Sequence, residues 1–290
     1  MGQTQELLGQ KLAALEEFFR GRTVVVAYSG GVDSSVVMAL AHRFAHRAVA
    51  VTANSITVLP EEVSEATKLA EEQGWEHRVV VVDELADENF AANPENRCYY
   101  CKAGLSKELQ TIASEVGANL LVEGTNYSEV EGHRPGLQAI REERIGSPLL
   151  DHSLTKEEVR ELAREFGLPN ADKPNLACLS SRFPTGVRIT PEKLQRVGQA
   201  ERYLIDTYDL RTLRVRDHEG LARVEVAPEE RGKLLSEEVL DDIHSQLRAL
   251  GFRYVTLDCA GYRTGSVSGV DGPDSVPSPP HLSPDDVRIV

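Results

Sequence analysis

Apolar and polar positions along the chain follow two alternating periods. Over residues 5–19, Leu7, Leu8, Leu12, Leu15 and Phe18 recur at helical intervals, which predicts an amphipathic leading helix. Short apolar runs follow at Thr23 to Ala27, Ala48 to Thr52, Arg78 to Val82 and Asn119 to Val122. They read as strands buried on both faces. Between them, helical periodicity predicts helices near 34–46, 61–73 and 102–116. Strands alternating with helices predict an α/β fold, a doubly wound parallel sheet whose ligands sit beyond the carboxyl ends of the strands.

Thr155 to Phe166 predicts a further helix, with Thr155 as N-cap, Glu158 as its capping-box partner, and Gly167 and Pro169 as the stop. The stretch from Asn170 to Gly186 has little periodicity and reads as a linker that lines the site. It contains Pro174, Cys178, Arg182 and Pro184. Beyond it the pattern predicts a helix from Pro191 to Ile205 and strands from Thr212 to Arg216 and Ala222 to Val226, joined by a turn at Asp217-His218-Glu219-Gly220. A helix from Glu237 to Leu250 and a strand from Arg253 to Leu257 complete a second, smaller α/β domain. On its hairpin, Arg214, Arg216, Arg223 and Glu225 alternate with apolar residues as one polar face. The expected domains are 1–186 and 187–265. Five of the 14 prolines fall between Pro273 and Pro284, which predicts disorder for 266–290.

A chain of 290 residues can bury a substantial core. Its 32 Lys and Arg against 46 Asp and Glu give a formal charge of −14, which argues against a general nucleic-acid-binding surface. No segment has the length of a membrane span, and the polar start MGQTQELLGQ lacks the pattern of a signal peptide, so a cytoplasmic location is expected. Four cysteines, at 98, 101, 178 and 259, are too few for a disulfide framework in a chain of this size.

The first predicted strand runs directly into Ala27-Tyr28-Ser29-Gly30-Gly31-Val32-Asp33-Ser34-Ser35, and a helical pattern follows. A strand ending in two glycines before a hydroxyl-rich helix start makes a cradle of backbone N–H groups for a nucleotide's phosphates. Gly30 and Gly31 allow close approach, Ser29, Ser34 and Ser35 can donate to phosphate oxygens, and Asp33 can hold Mg²⁺ or the helix start. Neither the Walker spacing nor GxGxxG is present. Ala53-Asn54-Ser55 and Gly124-Thr125-Asn126 end the second and fourth strands, where they can meet the adenosine and phosphates of ATP. Glu95, Asn96, Arg97 and Trp75 are candidates for the substrate side, with core packing as the alternative for Trp75. Arg134 is placed to meet an anionic substrate, and Lys156 at a helix start can offset charge on a leaving pyrophosphate.

Cys98-Tyr99-Tyr100-Cys101 reads as the lead-in to a helix, a position that lowers thiol pKa, and Cys178 lies in the irregular linker. Inert thiols, a zinc site, a redox pair and an iron-sulfur site all remain open on spacing alone. For Cys259, at a strand end, a core or surface thiol is the favoured reading. Arg182 with Arg214 and Arg216 can form a clamp for a substrate phosphate, against the alternative of a solvated hairpin face.

The run SGGVDSS resembles the signature of the PP-loop, or N-type, ATP pyrophosphatases, which implies a doubly wound sheet of the adenine nucleotide alpha hydrolase type. CYYCK, EGTNYSE, HRPGLQAI, SPLLDHSLTKEEVRELA and ACLSSRFPTG together resemble the LarE family of ATP-dependent sulfur transferases. The resemblance implies adenylylation of a carboxylate of a pyridinium dicarboxylate mononucleotide, then its conversion to a thiocarboxylate during nickel-pincer cofactor synthesis. Cys178 falls on the sulfur-donating position. With Cys98 and Cys101 the chain also resembles the subgroup whose three thiolates hold a [4Fe–4S] cluster that carries replaceable sulfide, which implies such a cluster on Cys98, Cys101 and Cys178. The resemblance puts substrate-phosphate and catalytic roles on Arg214, Arg216 and Glu225, with Glu201 nearby, and implies a homo-oligomer, up to a hexamer. The expected partners are the substrate nucleotide and sulfide or another sulfur donor. A tRNA 2-thiolation enzyme and an amide-forming ligase of the same superfamily are the rival readings.

Overall fold

The computed structural model describes residues 2–129, 135–173 and 177–263. Arg134, Pro174 and the tail 266–290 lie outside the described residues. The chain forms two compact units, Met1–Gln199 and a second that begins at Ala200, so the division falls inside a helix rather than at Gly186.

In the first unit, strands β1 (Thr23–Ala27), β2 (Arg47–Asn54), β3 (Glu76–Val81) and β4 (Leu120–Val122) form a wholly parallel sheet in the order β3-β2-β1-β4. The helices are α1 (Gly2–Phe19), α2 (Val32–Phe44), α3 (Pro60–Glu72), the short α4 (Glu88–Ala91), α5 (Arg97–Val116), α6 (Pro135–Glu142), the short α7 (Pro148–Asp151) and α8 (Lys156–Glu165). Successive β1 residues face opposite ways. Val24 and Val26 pack with Leu15, Val36, Leu40, Leu149 and Leu162, whereas Val25 packs with Val49, Leu109, Ile112 and Ile140. Burying each such side chain contributes roughly 1.5–3 kcal/mol, so covering both faces is the main drive for this layering.

Several element starts differ from the pattern reading by a few residues, and those of α2 and α5 move candidate residues. β3 begins at Glu76, which pairs in register with Val49 of β2 and whose carboxylate meets the Arg47 guanidinium at 2.7 Å. α2 begins at Val32, which places Asp33 and Ser34 in its first turn. α5 begins at Arg97, with Asn96 at its N-cap position, because nothing in Cys-Tyr-Tyr-Cys-Lys interrupts a helix. Cys98 and Cys101 therefore lie within the helix, three residues apart on one face, rather than ahead of it.

The predicted capping box is present: Thr155 and Glu158 bond each other's backbone N–H groups. Lys11 Nζ reaches the Glu158 carboxylate at 2.7 Å and ties α1 to α8.

The remainder of α9 (Pro191–Tyr208), β5 (Leu213–His218), β6 (Leu221–Val226), α10 (Glu237–Ala249) and β7 (Tyr254–Leu257) build the second unit. Its sheet has the order β5-β6-β7, antiparallel between the first pair and parallel between the second. The hairpin turn is only Glu219-Gly220, with φ of 53° and 97°. Both residues take the left-handed region that two-residue hairpin loops require, so β5 runs two residues further than the pattern suggested. Tyr203 and Tyr208 both donate to Asp242 Oδ2 and join α9 to α10. No helix among the described residues is long and apolar enough to cross a membrane.

Glu158 supplies a pH-dependent stability term. Partial burial raises its pKa, but the Lys11 ammonium and the Thr155 N–H outweigh that and hold it below the ordinary carboxylate range. A depressed folded pKa contributes stability above the unfolded value of about 4.3 and loses it as pH falls through the folded value. Lys11→Met is expected to lower the denaturation midpoint at pH 7, with the gap to wild type closing on acidification, as read by urea titrations across pH 3–7.

Candidate active site

The glycine-rich loop is shaped by one forbidden volume and one open helix end. Ala27 closes β1, and Tyr28 N donates to Val51 O at 2.8 Å. Gly30 has φ +73°, and a Cβ there would lie 2.8 Å from Ala66 Cβ, so only glycine fits. Gly31 is the N-cap of α2, and no side chain caps that helix. Its first N–H groups therefore face the loop, an arrangement suited to phosphate oxygens. Ser34 Oγ donates to Gly31 O at 3.1 Å and accepts from Ser29 N at 3.2 Å, which makes it a brace of the turn. The Ser29 and Ser34 hydroxyls are themselves 3.2 Å apart. Ser35 is turned fully inward and accepts from Asn170 Nδ2 at 2.8 Å, so it does not face the cradle.

Asp33 joins three segments. Its Oδ1 accepts from Asn126 Nδ2 at 2.9 Å and its Oδ2 from Lys156 Nζ at 2.5 Å. The Lys156 ammonium therefore stands at the first turn of α2, and a metal ion on Asp33 would have to compete with it. Gly124 passes so close to α2 that a Cβ would lie 2.8 Å from Ser34 N. Thr125 is committed to its neighbour: its N and Oγ1 donate to Glu123 at 3.1 and 2.7 Å. Asn170 also donates to Gly30 O at 2.9 Å and fastens the linker to the loop.

At the end of β2, Asn54 O accepts from Val82 N at 3.1 Å, and Ser55 Oγ lies 2.9 Å from Thr57 Oγ1. Thr57 Oγ1 donates to Glu84 Oε1 at 3.1 Å, while Glu84 Oε2 is buried without a partner. Thr57 O accepts from Leu179 N at 2.9 Å, which docks the segment after Cys178 against the strand end.

The Cys98 and Cys178 side chains are exposed, and Cys101 is partly covered. Burial pushes the Cys101 thiol up to about 12, with the Cys178, Glu84 and Cys98 charges adding to the rise. This reverses the lowering expected from a helix-start CxxC, because desolvation of Cys101 outweighs any benefit of the helix end. Cys98 and Cys178 thus both bear on the Cys101 thiol. Among the described residues no three His, Cys, Asp or Glu side chains stand close enough to share a single metal ion. Cys259 is exposed and belongs to the second unit.

Arg182 is 2% exposed, and its Nη1 donates to Ala177 O, Cys178 O and Ser181 Oγ at 2.6, 3.1 and 2.9 Å. It braces the Cys178 segment. Trp75 packs edge-to-face on Tyr28, 5.6 Å between centroids, as a core residue. Arg97 donates to Asn93 Oδ1. Asn93 in turn donates to Pro184 O at 2.7 Å and Val187 O at 3.1 Å, pinning the far end of the linker.

In the second unit, the polar face of the hairpin exists but is buried rather than solvated. Arg214 and Arg216 are about as covered as core residues, and Glu225 is completely buried. Glu225 Oε2 accepts from Arg216 at 2.9 Å and Oε1 from Arg223 at 2.9 Å. Glu225 thereby orients two guanidiniums. Glu201 Oε1 accepts from Val215 N at 2.9 Å and anchors the strand between Arg214 and Arg216. The Arg214 guanidinium lies 5.1 Å from the Tyr262 ring centroid.

Pattern reading missed Asn93, Asn170, Thr57 and Glu84. The one available signal was an Asn or a Thr-Glu pair beside an irregular stretch, where polar side chains must satisfy backbone groups.

The asparagine synthase family model matches residues 16–99. Over 266 residues the chain is 42% identical to an uncharacterized protein of Synechocystis, covering 91% of this chain and 99% of that protein. It is 37% identical to the pyridinium-3,5-bisthiocarboxylic acid mononucleotide synthase of Lactiplantibacillus plantarum, covering 89% of this chain and 92% of that enzyme. It is 29% identical to the tRNA-specific 2-thiouridylase MnmA of Sphingopyxis alaskensis, over 54% of this chain and 50% of that one.

Two outcomes follow from this geometry. Iodoacetamide at pH 8 is expected to label Cys98 and Cys178 readily in reduced, metal-free protein and Cys101 far more slowly, as read by peptide mass spectrometry, because a raised pKa keeps that thiol protonated. Gly124→Ala is expected to cost about 1–3 kcal/mol by overpacking against α2, measured by urea unfolding.

Proposed function

Because this chain belongs to the PP-loop ATP pyrophosphatases, in the family of the pyridinium-3,5-bisthiocarboxylic acid mononucleotide synthase, we propose that it is an ATP-dependent sulfur transferase acting on pyridinium-3,5-dicarboxylate mononucleotide. The carboxylate oxygen attacks the α-phosphorus of ATP and pyrophosphate departs. Sulfur then attacks the resulting acyl carbon and AMP departs, leaving a thiocarboxylate. Adenylylation is needed because attack on a free carboxylate would add charge to an anion.

The protein's part in the first step is electrostatic. The uncapped N–H groups of α2 and the Lys156 ammonium, steered by Asp33, meet the developing charge of pyrophosphate, and Mg²⁺ travels with the nucleotide. Gly30, Gly31, Ser29 and Ser34 shape the cradle, with Ala27 at its base. Gly124 and Thr125 form its second wall, and Asn54 and Ser55 adjoin the adenosine. Arg214 and Arg216 take the substrate phosphate, oriented by Glu225 and Glu201, and Arg134 adds a further cation.

What supports the sulfur half of this reading is that Cys98 and Cys178 both bear electrostatically on the Cys101 thiol, and that Leu179 N, beside Cys178, docks on Thr57 O just beyond the carboxyl end of β2. An amide-forming ligase has no use for three thiols there. In this reading Cys98, Cys101 and Cys178 hold a [4Fe–4S] cluster, which supplies exchangeable sulfide when bound. Assembly as a homo-oligomer, up to a hexamer, belongs to the same proposal.

Anaerobically purified protein is expected to contain iron and acid-labile sulfide and, with ATP, Mg²⁺ and the substrate nucleotide, to release pyrophosphate and form a thiocarboxylate visible by mass spectrometry. Lys156→Ala is expected to slow pyrophosphate release about 10²-fold. Wild-type protein that releases no pyrophosphate with this nucleotide overturns the assignment. Protein that is active but free of iron removes the cluster and leaves Cys178 as the sulfur source.

A further inference from the structure

Thr57 was not among the expected site residues, yet it is the point at which the nucleotide end of β2 and the Cys178 segment are joined. It is 2% exposed, between Ser55 and Glu84, each 8% exposed. Its hydrogen positions follow from its partners. The Thr57 hydroxyl donates to Glu84 Oε1, so the Ser55 hydroxyl must be the donor across the 2.9 Å contact with Thr57 Oγ1. Thr57 N donates back to Ser55 Oγ at 3.2 Å. These bonds fix Thr57 in the fold, and its remaining backbone group, the carbonyl, accepts from Leu179 N. The residue before Leu179 is Cys178, whose own carbonyl is held by Arg182. Leu179 is buried and seats against Gly198, where a Cβ would lie 3.3 Å from its Cδ1.

We propose that Thr57 is a positioning residue, which keeps the Cys178 thiol in register with the nucleotide site through Leu179. The inference rests on the proposed sulfur transfer, in which Cys178 belongs to the sulfur-delivering group whether as cluster ligand or as the source itself. Thr57 touches neither nucleotide nor sulfur. It converts the fixed geometry of the β2 end into a fixed origin for the Cys178 segment, so that sulfur meets the acyl carbon at bonding range. Glu84 enters as the acceptor that locks the Thr57 hydroxyl. Its second carboxylate oxygen is buried without a partner, so Thr57 is the side-chain contact that the Glu84 carboxylate makes here.

The test compares wild type, Thr57→Val and Thr57→Ser as full-length protein. Amide hydrogen exchange is followed in the peptide that contains Leu179, while pyrophosphate release and thiocarboxylate formation are measured separately. In Thr57→Val, exchange in that peptide is expected to rise about tenfold with α2 and α8 unchanged. Pyrophosphate release should stay within about threefold of wild type while thiocarboxylate formation falls about tenfold or more, and Thr57→Ser should restore both readouts. Should Thr57→Val not fold, Glu84→Leu removes the same acceptor without leaving a bare carboxylate and gives the same pattern. Unchanged exchange at Leu179, faster exchange throughout the first unit, or a parallel fall of both activities overturns the proposal. A wild type that releases no pyrophosphate sinks the assigned reaction instead, and the exchange measurement still decides whether Thr57 positions this segment.

Discussion

One carboxylate, Asp33, sets the relation between the three segments that make the nucleotide cradle. It sits in the first turn of α2, receives Asn126 on one oxygen and Lys156 on the other, and so draws the β4 loop and the start of α8 onto the glycine turn. Charge-assisted bonds of this kind contribute about 1.5–3 kcal/mol each. Their larger effect is directional. Without them a lysine at a helix start would be one more solvated cation, and the loop after β4 would have no reason to approach α2 to within the distance that demands Gly124.

The parallel sheet was legible because its strands are short apolar runs flanked by helices of a different period, although the edge strand β3, expected to be buried on both faces, leaves Val79 and Val81 exposed. The capping box at Thr155 and Glu158 was legible for a local reason: both of its bonds lie within one turn. The start of α5 was not. Tyrosine and cysteine have middling helical preference, so local propensity does not mark where the helix starts. The environment of Cys101 was equally hidden, since spacing reports where a thiol stands in the chain but not how dry its surroundings are.

The hairpin arginines show the same division. Alternation correctly placed Arg214, Arg216, Arg223 and Glu225 on one face, but alternation alone reads as solvent-facing. The structure buries Arg214, Arg216 and Glu225 and leaves Arg223 partly exposed, and Glu225 makes that burial tolerable by sharing its two oxygens between Arg216 and Arg223. Arg182 differs in kind: its Nη1 is given to three acceptors within its own segment. Asn93 and Asn170 perform comparable work for the linker, and their importance arises from contacts made across the fold, which periodicity does not register.

The thiols of Cys98 and Cys101 come from an early helix, and that of Cys178 from a segment made much later in synthesis. A growing chain therefore presents a pair of sulfurs long before the third exists, and the trio forms only once the late segment has docked on β2. An incomplete chain therefore carries the two helix thiols without the segment that bears the third.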